Sequence, residues 1–202
     1  MKKKANKQIT DKEFTVATFI STCFGVGFIK FCPGTMGSLL TFPLFYILNI
    51  IITKSGIETF IELILIYFII LIFLFVIGFW SVDIYISKNK KDDPSEVVID
   101  EVIGQMIAYM MPTCLTLYYF IYLGNSLATN SLLITLTTLI IITAPIIFFR
   151  LFDILKPGLV GYFDTRVKGP IGVIMDDVIA GLYAGGIVCT ILTLLFLGIS
   201  IY

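Results

Sequence analysis

The sequence contains no histidine in its 202 residues. This absence excludes mechanisms that need an imidazole base, a phosphohistidine or a histidine-ligated metal, including those of lipid phosphatases with a histidine nucleophile. The four cysteines are scattered, without a CxxC pair or a metal-ligand spacing, so we interpret them as packing residues. None has an arginine six residues later, as the phosphate loop of cysteine-dependent phosphatases requires. Carboxylates, hydroxyls, lysines and arginines remain for chemistry.

The chain also lacks net charge, since 14 basic and 14 acidic residues balance, and it has no broad basic patch. This composition disfavours nucleic acid as a partner. Hydrophobic residues make up 58% of the chain and the mean hydropathy is +1.00, which predicts one integral membrane domain over residues 1–202. The early lysines are not followed by a short apolar run with a cleavage site. We therefore expect residues 1–13 to be a retained cytoplasmic tail.

Long apolar runs predict an all-α fold, a polytopic membrane helical bundle. Residues 14–30 are too short and too polar for a span, so a re-entrant or interfacial helix is expected there. Pro33-Gly34 indicates a turn, followed by a helix that Thr35 or Ser38 caps. Pro112 is expected to break or kink its helix. The predicted spans are about residues 38–53, 57–82, 101–123, 132–150 and 176–198.

The distribution of charge predicts the topology of these spans. With a cytoplasmic N-terminus, 13 of the 14 Lys and Arg residues lie on the cytoplasmic side and only Lys54 lies outside. The span at 38–53 has only 16 residues, so it needs a thinner bilayer or a longer helix. The arrangement brings polar residues from distant segments to the cytoplasmic helix ends: Thr35, Ser38, Asp100, Glu101, Asp153, Asp176 and Asp177.

Two adjacent carboxylates, Asp176 and Asp177, stand at the head of the last apolar segment. Small residues follow them in helical register, so another helix can approach closely and the acids are expected to face protein. An ionisable residue at the edge of a membrane segment indicates a functional site, whereas stabilisation of a helix N-terminus is the alternative. The small residues are Ala180, Gly181, Ala184 and Gly185, with Gly104 and Ala108 beneath Asp100 in the same way.

Carboxylates that meet at one membrane face repel each other unless a cation relieves the repulsion. Oxygen ligands without His or Cys favour Mg2+, which is usually completed by waters and phosphate oxygens. The exposed amides of the helix start near Thr35 and Ser38 can also hold an anion. The predicted Mg2+ ligands are Asp100, Glu101, Asp153, Asp176 and Asp177. The cations expected to neutralise a bound phosphate are Arg150, Lys156, Arg166 and Lys168.

Five motifs, in order and correctly spaced, resemble the phosphatidylglycerophosphatase A family. They are Pro33-Gly-Thr-Met-Gly-Ser-Leu39, Asp100-Glu101-Val-Ile-Gly104, Phe149-Arg-Leu-Phe-Asp-Ile-Leu-Lys-Pro157, Phe163-Asp164 and Gly172-Val-Ile-Met-Asp-Asp-Val-Ile-Ala-Gly181. The resemblance implies a Mg2+-dependent phosphatase that converts phosphatidylglycerophosphate to phosphatidylglycerol in phospholipid biosynthesis. We expect it in the cell (inner) membrane, with its active site on the cytoplasmic face.

The resemblance also implies roles for residues of this chain. The expected catalytic residues are Asp100, Glu101, Asp153, Lys156, Asp176 and Asp177. Together with the motif acid Asp164, the helix start and the cations named above give the residues expected to contact the substrate: Thr35, Ser38, Arg150, Asp164, Arg166 and Lys168. The chain departs from the family pattern at Gly158-Leu159, where Trp-Pro is frequent, and at Gly169-Pro170, where the family has Gly-Gly.

Two other classes of protein also use membrane carboxylates. Ion or proton transporters place such acids near the midplane on broken helices, whereas these acids are expected at one face beside a basic loop. Transferases of the CDP-alcohol type also use Mg2+ and aspartates, but their long Asp-Gly-x-x-Ala-Arg signature is missing. A transporter is therefore the main alternative.

Overall fold

The computed structural model describes residues 10–56, 59–91, 94–122 and 131–200, and these ranges contain seven α-helices and no strand. The predicted all-α fold is confirmed. Residues 1–9 of the predicted tail lie outside the described residues. The helices are α1 (Asp11–Ser21), α2 (Pro33–Lys54), α3 (Phe60–Asn89), α4 (Ile99–Tyr122), α5 (Ser131–Leu155), α6 (Leu159–Arg166) and α7 (Pro170–Ser200), with a 3-10 turn at Val26–Phe28.

Four of the described helices, α2, α3, α5 and α7, are long and apolar enough to cross a membrane. They correspond to four of the five predicted spans. The fifth, 101–123, is α4, which has 24 residues but is not among these four. Helix α4 packs against all of them, so much of its surface contacts protein and can be less apolar. The five-span topology therefore stays a prediction.

Helix α2 begins earlier than its sequence predicts. Pro33 is its first residue, not part of a turn, because proline lacks an amide hydrogen and its φ already suits a helix. The cap position is Cys32, which makes no side-chain cap bond, so the predicted caps Thr35 and Ser38 are wrong. Ser38 Oγ instead donates to the Gly34 carbonyl at 3.1 Å. With 22 residues, α2 supplies the longer helix that a full crossing requires.

The N-terminal segment forms a short helix, as predicted, and not a span. Helix α1 has 11 residues and begins with a capping box in which Thr10 and Glu13 bond each other's backbone amides. It packs against α3, and its last residue accepts a hydrogen bond from the Val98 amide at 2.9 Å. The N-terminal segment is thereby fixed directly before α4.

Prolines inside three described helices do not interrupt them, and one of these is Pro43 in α2. Helix α4 is continuous through Pro112 and α5 is continuous through Pro145. Of the break or kink predicted at Pro112, the break is therefore wrong and the kink stays a prediction. Packing of α4 against four neighbouring helices can hold the helix together around the one backbone bond that proline removes.

The crossing of α4 and α7 forms the centre of the bundle and depends on facing glycines. A Cβ added to Gly181 would lie 2.2 Å from the Gly104 carbonyl oxygen, and one added to Gly104 would lie 2.4 Å from the Asp177 carbonyl oxygen. Ala108, Ala180 and Ala184 are fully buried in the same cluster. The small residues thus serve close helix contact, as predicted, and this contact brings Asp177 next to the first turn of α4.

Candidate active site

Three carboxylates from two helices form what we call the inner group: Asp100 and Glu101 in the first turn of α4, and Asp177 near the start of α7. One oxygen of each lies within 4.8 Å of the other two. Glu101 Oε2 and Asp177 Oδ1 are buried and have no hydrogen-bond partner among the described residues. Buried polar atoms are normally satisfied, so these oxygens indicate a position for a cation. The group has the donors to hold a metal ion.

The other acids of the site face cations, and we call these residues the outer group. Arg150 Nη1 lies 2.7 Å from Asp153 Oδ2. Lys156 Nζ contacts Asp164 and lies 3.5 Å from Asp176 Oδ2. Each of these acids therefore faces a cation of the protein, and Asp164 and Asp176 share the single charge of Lys156. By sequence spacing Asp153 could pair with Arg150 or with Lys156, and in the structure it contacts Arg150.

Lys156 owes its position to an unusual backbone. It follows the last residue of α5 and has a φ of +46°, a left-handed conformation that is uncommon outside glycine. Its side chain thereby reaches α6 and α7. Partial burial lowers the pKa of Lys156, but the hydrogen bond to Asp164 and the charges of Asp176 and Asp164 outweigh this effect and raise the pKa overall. The side chain is a fixed positive charge at neutral pH.

Apart from Arg150, the residues of both groups line one cavity at the end of the bundle where α4 and α7 begin and α5 ends. Lys168 stands at this cavity with an exposed side chain and no ion-pair partner in the described part of the chain. Its charge is therefore available to a ligand. The predicted residues that line the cavity are Asp100, Glu101, Asp153, Lys156, Asp164, Lys168, Asp176 and Asp177. Val167, Gly169, Gly172 and Val173 complete the lining.

Four predicted residues are absent from the cavity lining: Thr35, Ser38, Arg150 and Arg166. Ser38 is fully buried, and Arg150 Nη1 donates to its hydroxyl at 3.5 Å. These two lie behind the wall, where Arg150 holds Asp153. Thr35 is half-buried and Arg166 is exposed. Substrate contact by these four residues stays a prediction.

Two residues at the site were missed by the sequence analysis. A Cβ added to Gly34 would lie 2.2 Å from Glu101 Oε1, so the first turn of α2 directly borders the inner group. Gln105 is fully buried one turn beyond Glu101, and its two polar side-chain atoms have no partner among the described residues. The spacing of four residues from Glu101 could have indicated Gln105. No local pattern could have indicated that Gly34 meets a carboxylate of α4.

Comparison with known proteins agrees with the motifs. The family model for phosphatidylglycerophosphatase A matches residues 19–192. A Bacteroides thetaiotaomicron protein with the provisional name phosphatidylinositol-3-phosphatase is 30% identical over 82% of this chain and 86% of its own. The phosphatidylglycerophosphatase A of Escherichia coli K12 is 28% identical over 81% of this chain and 76% of its own, and that of Haemophilus influenzae is 28% identical over 80% and 79%. No solved structure is significantly similar.

Proposed function

This chain belongs to the phosphatidylglycerophosphatase A family, and we propose that it is a Mg2+-dependent lipid phosphatase that hydrolyses phosphatidylglycerophosphate to phosphatidylglycerol and phosphate. The reaction would serve phospholipid biosynthesis. Two relatives carry the name of this activity. The observation that carries the proposal is a cavity in which three mutually close carboxylates stand beside a lysine held by two further carboxylates.

The donor atoms of the inner group suit a bound Mg2+ better than a site without a cation. Its donors are all carboxylate oxygens, and two of them, Glu101 Oε2 and Asp177 Oδ1, lack a hydrogen bond within the described ranges. We therefore propose Asp100, Glu101 and Asp177 as ligands. Bound there, the ion would polarise a phosphoryl oxygen and make a coordinated water more acidic. Asp153 and Asp176, also predicted as ligands, are instead assigned to hold Arg150 and Lys156.

The outer group would bind the phosphate and take up a proton. Protonated Lys156 offers N–H donors and positive charge to phosphoryl oxygens, and these interactions strengthen as charge develops in the transition state. Asp176 Oδ2 lies on the cavity wall 3.5 Å from Lys156 Nζ and outside the inner group, so we assign to it the proton of the attacking water. Water then forms the new bond to phosphorus while the bond from phosphorus to the glycerol oxygen breaks. This oxygen takes up a proton from solvent to become the hydroxyl of phosphatidylglycerol, and Asp176 returns its proton to solvent.

The decisive experiment measures phosphate release by the purified protein from phosphatidylglycerophosphate, with Mg2+ and with EDTA. Release that requires Mg2+ and disappears with EDTA is expected. Because the Bacteroides relative carries the name of a phosphatidylinositol-3-phosphatase, phosphatidylinositol 3-phosphate should be assayed in parallel. Faster phosphate release from phosphatidylinositol 3-phosphate would show that this lipid is the preferred substrate. Phosphate release that EDTA does not affect would refute the proposed Mg2+ dependence.

The transporter alternative makes a different prediction. Liposomes that contain the pure protein should then show ion or proton flux, with no hydrolysis of either lipid. The clustering of carboxylates and cations at one end of the bundle favours a site that meets a lipid headgroup at the interface. We therefore expect hydrolysis without flux.

The site is proposed to face the cytoplasm of the cell (inner) membrane, because the motif acids share the side that carries most of the basic residues. Ser55, Ser95 and Thr165 are exposed and suit single-cysteine labelling in a cysteine-free background. Cysteines at positions 95 and 165 should react with an impermeant thiol reagent only from the cytoplasmic side, and one at 55 only from outside. Labelling of 55 and 165 from the same side would refute the five-span topology.

A further inference from the structure

Gly34 stands where the start of α2 meets the carboxylate of Glu101. A Cβ added to Gly34 would lie 2.2 Å from Glu101 Oε1 and 3.1 Å from Glu101 Cδ. It would also lie 3.3 Å from Arg150 Nη1. One methyl group at this position would therefore enter the space that a proposed metal ligand and the arginine of the outer group now occupy.

The backbone of α2 gives no reason for a glycine here. Gly34 is the second residue of the helix, and its φ does not lie in the left-handed region that favours glycine. Glycine is also a weaker helix former than alanine, so helix propensity gives no reason for it either. The space that Glu101 occupies is the physical reason that remains.

Gly34 differs in this respect from the glycines at the helix crossing. A Cβ on Gly104 or Gly181 would meet backbone atoms of the partner helix, which cannot move without separating the helices. The three atoms nearest to a Cβ on Gly34 all belong to the ends of two flexible side chains. Replacement of Gly34 should therefore leave the fold intact and displace the carboxylate.

We infer that Gly34 is a positioning residue, whose bare backbone fixes the place of the Glu101 carboxylate and thereby the affinity of the site for Mg2+. This inference rests on the proposed function. Ser38 connects the same turn to the outer group, since its hydroxyl donates to the Gly34 carbonyl at 3.1 Å and accepts from Arg150 Nη1 at 3.5 Å. The first turn of α2 is thus a wall of the site and not only the start of a membrane helix.

The test compares Gly34→Ala with Gly186→Ala, since a Cβ on Gly186 meets nothing within 4 Å. Two quantities are measured on each purified protein: the rise in melting temperature on adding Mg2+, and the Mg2+ concentration that gives half-maximal phosphate release. For Gly34→Ala we expect unchanged melting without metal, a much smaller rise with Mg2+, and a half-maximal concentration raised about 10–100-fold. Gly186→Ala should behave like the parent.

A second-site change tests whether the effect passes through Glu101. Glu101→Asp shortens the side chain by one methylene and vacates the space next to position 34. Adding Gly34→Ala to Glu101→Asp should therefore change the half-maximal Mg2+ concentration less than about threefold. An equal effect of Gly34→Ala in both backgrounds, or a Gly34→Ala protein that melts like an unfolded chain without metal, would overturn the inference.

Failure of the inference and failure of the proposed function give different results. If the parent protein gains no thermal stability from Mg2+ and releases no phosphate, the metal-dependent phosphatase itself is refuted. If the parent responds to Mg2+ and Gly34→Ala responds equally, only the role of Gly34 is refuted.

Discussion

The inner and outer groups contain the same type of side chain in two opposite electrostatic arrangements. In the outer group Asp153 faces Arg150 at 2.7 Å, and Asp164 and Asp176 share Lys156. In the inner group three carboxylates face one another, and no Lys or Arg nitrogen of the described residues forms an ion pair with Glu101 or Asp177. Every outer acid contacts a cation of the protein, although Asp164 and Asp176 share one, so the inner acids have the greater need of an external cation.

This difference separates two kinds of carboxylate, although the sequence predicts Mg2+ ligands in both groups. A carboxylate that already neutralises a protein cation gains less from a metal, and its removal frees that cation. A carboxylate held against other carboxylates is relieved of their repulsion when a cation binds. Substitutions in the two groups should therefore differ in size and in their effect on Mg2+ affinity.

The largest effect is expected for Asp177→Asn in the inner group. Loss of one charged ligand should lower kcat/KM for phosphatidylglycerophosphate by at least roughly 10³-fold, as removal of a central catalytic group does in other enzymes. The protein should still insert, and without metal it should melt at least as high as the parent, because one of the repelling charges is gone. Parent-like activity at saturating Mg2+ would remove Asp177 from the site.

Asp153→Asn in the outer group should have a smaller effect. The substitution leaves the charge of Arg150 without its partner but removes no proposed ligand, so a loss of about 10–100-fold in kcat is expected. The Mg2+ concentration for half-maximal activity should change little, and a steady-state Mg2+ titration measures it. A shift as large as that for Asp177→Asn would mean that the two groups are one metal site.

Much of this fold was predictable from sequence because long apolar runs indicate membrane helices. The four helices that can cross a membrane all coincide with predicted spans. The errors concern prolines, whose local structural preference was outweighed by their position in the helix or by tertiary packing. Pro33 was read as a turn, although proline also suits the first residue of a helix, and the helix through Pro112 is held by its neighbours.

Most of the site residues could also be predicted, since their motifs bring acids to the ends of helices that meet. Their division into two groups could not. It depends on the left-handed backbone at Lys156, which turns this side chain toward Asp164 and Asp176 and leaves Arg150 to Asp153. The closeness of Gly34 to Glu101 could not be predicted either, because these residues are distant in the chain. Neither feature leaves a periodic or compositional signal.

The inner group is assembled by the glycine crossing, so Gly181→Ala should disturb it through packing. The added methyl would press on the Gly104 backbone, and overpacking of this kind destabilises proteins by about 1–3 kcal/mol. The protein should therefore unfold at a lower concentration of denaturing detergent. Mg2+ binding should also weaken, because α7 would carry Asp177 away from α4. Gly186→Ala is the control. If Gly181→Ala weakened Mg2+ binding without loss of stability, the crossing would not be what assembles the inner group.

The smallest effect is expected for Lys168→Ala at the cavity mouth. Lys168 is exposed and pairs with no acid of the described residues, so its charge attracts substrate without ordering either group. Its loss should raise KM about three- to tenfold at low ionic strength and leave kcat and the Mg2+ requirement unchanged, because surface attraction acts on encounter more than on chemistry. Salt screens such attraction, so the difference from the parent should shrink as ionic strength rises. Lys12→Ala is the control, since Lys12 is exposed and does not line the cavity. An effect of Lys168→Ala on kcat that persists at high salt would instead assign Lys168 to the outer group.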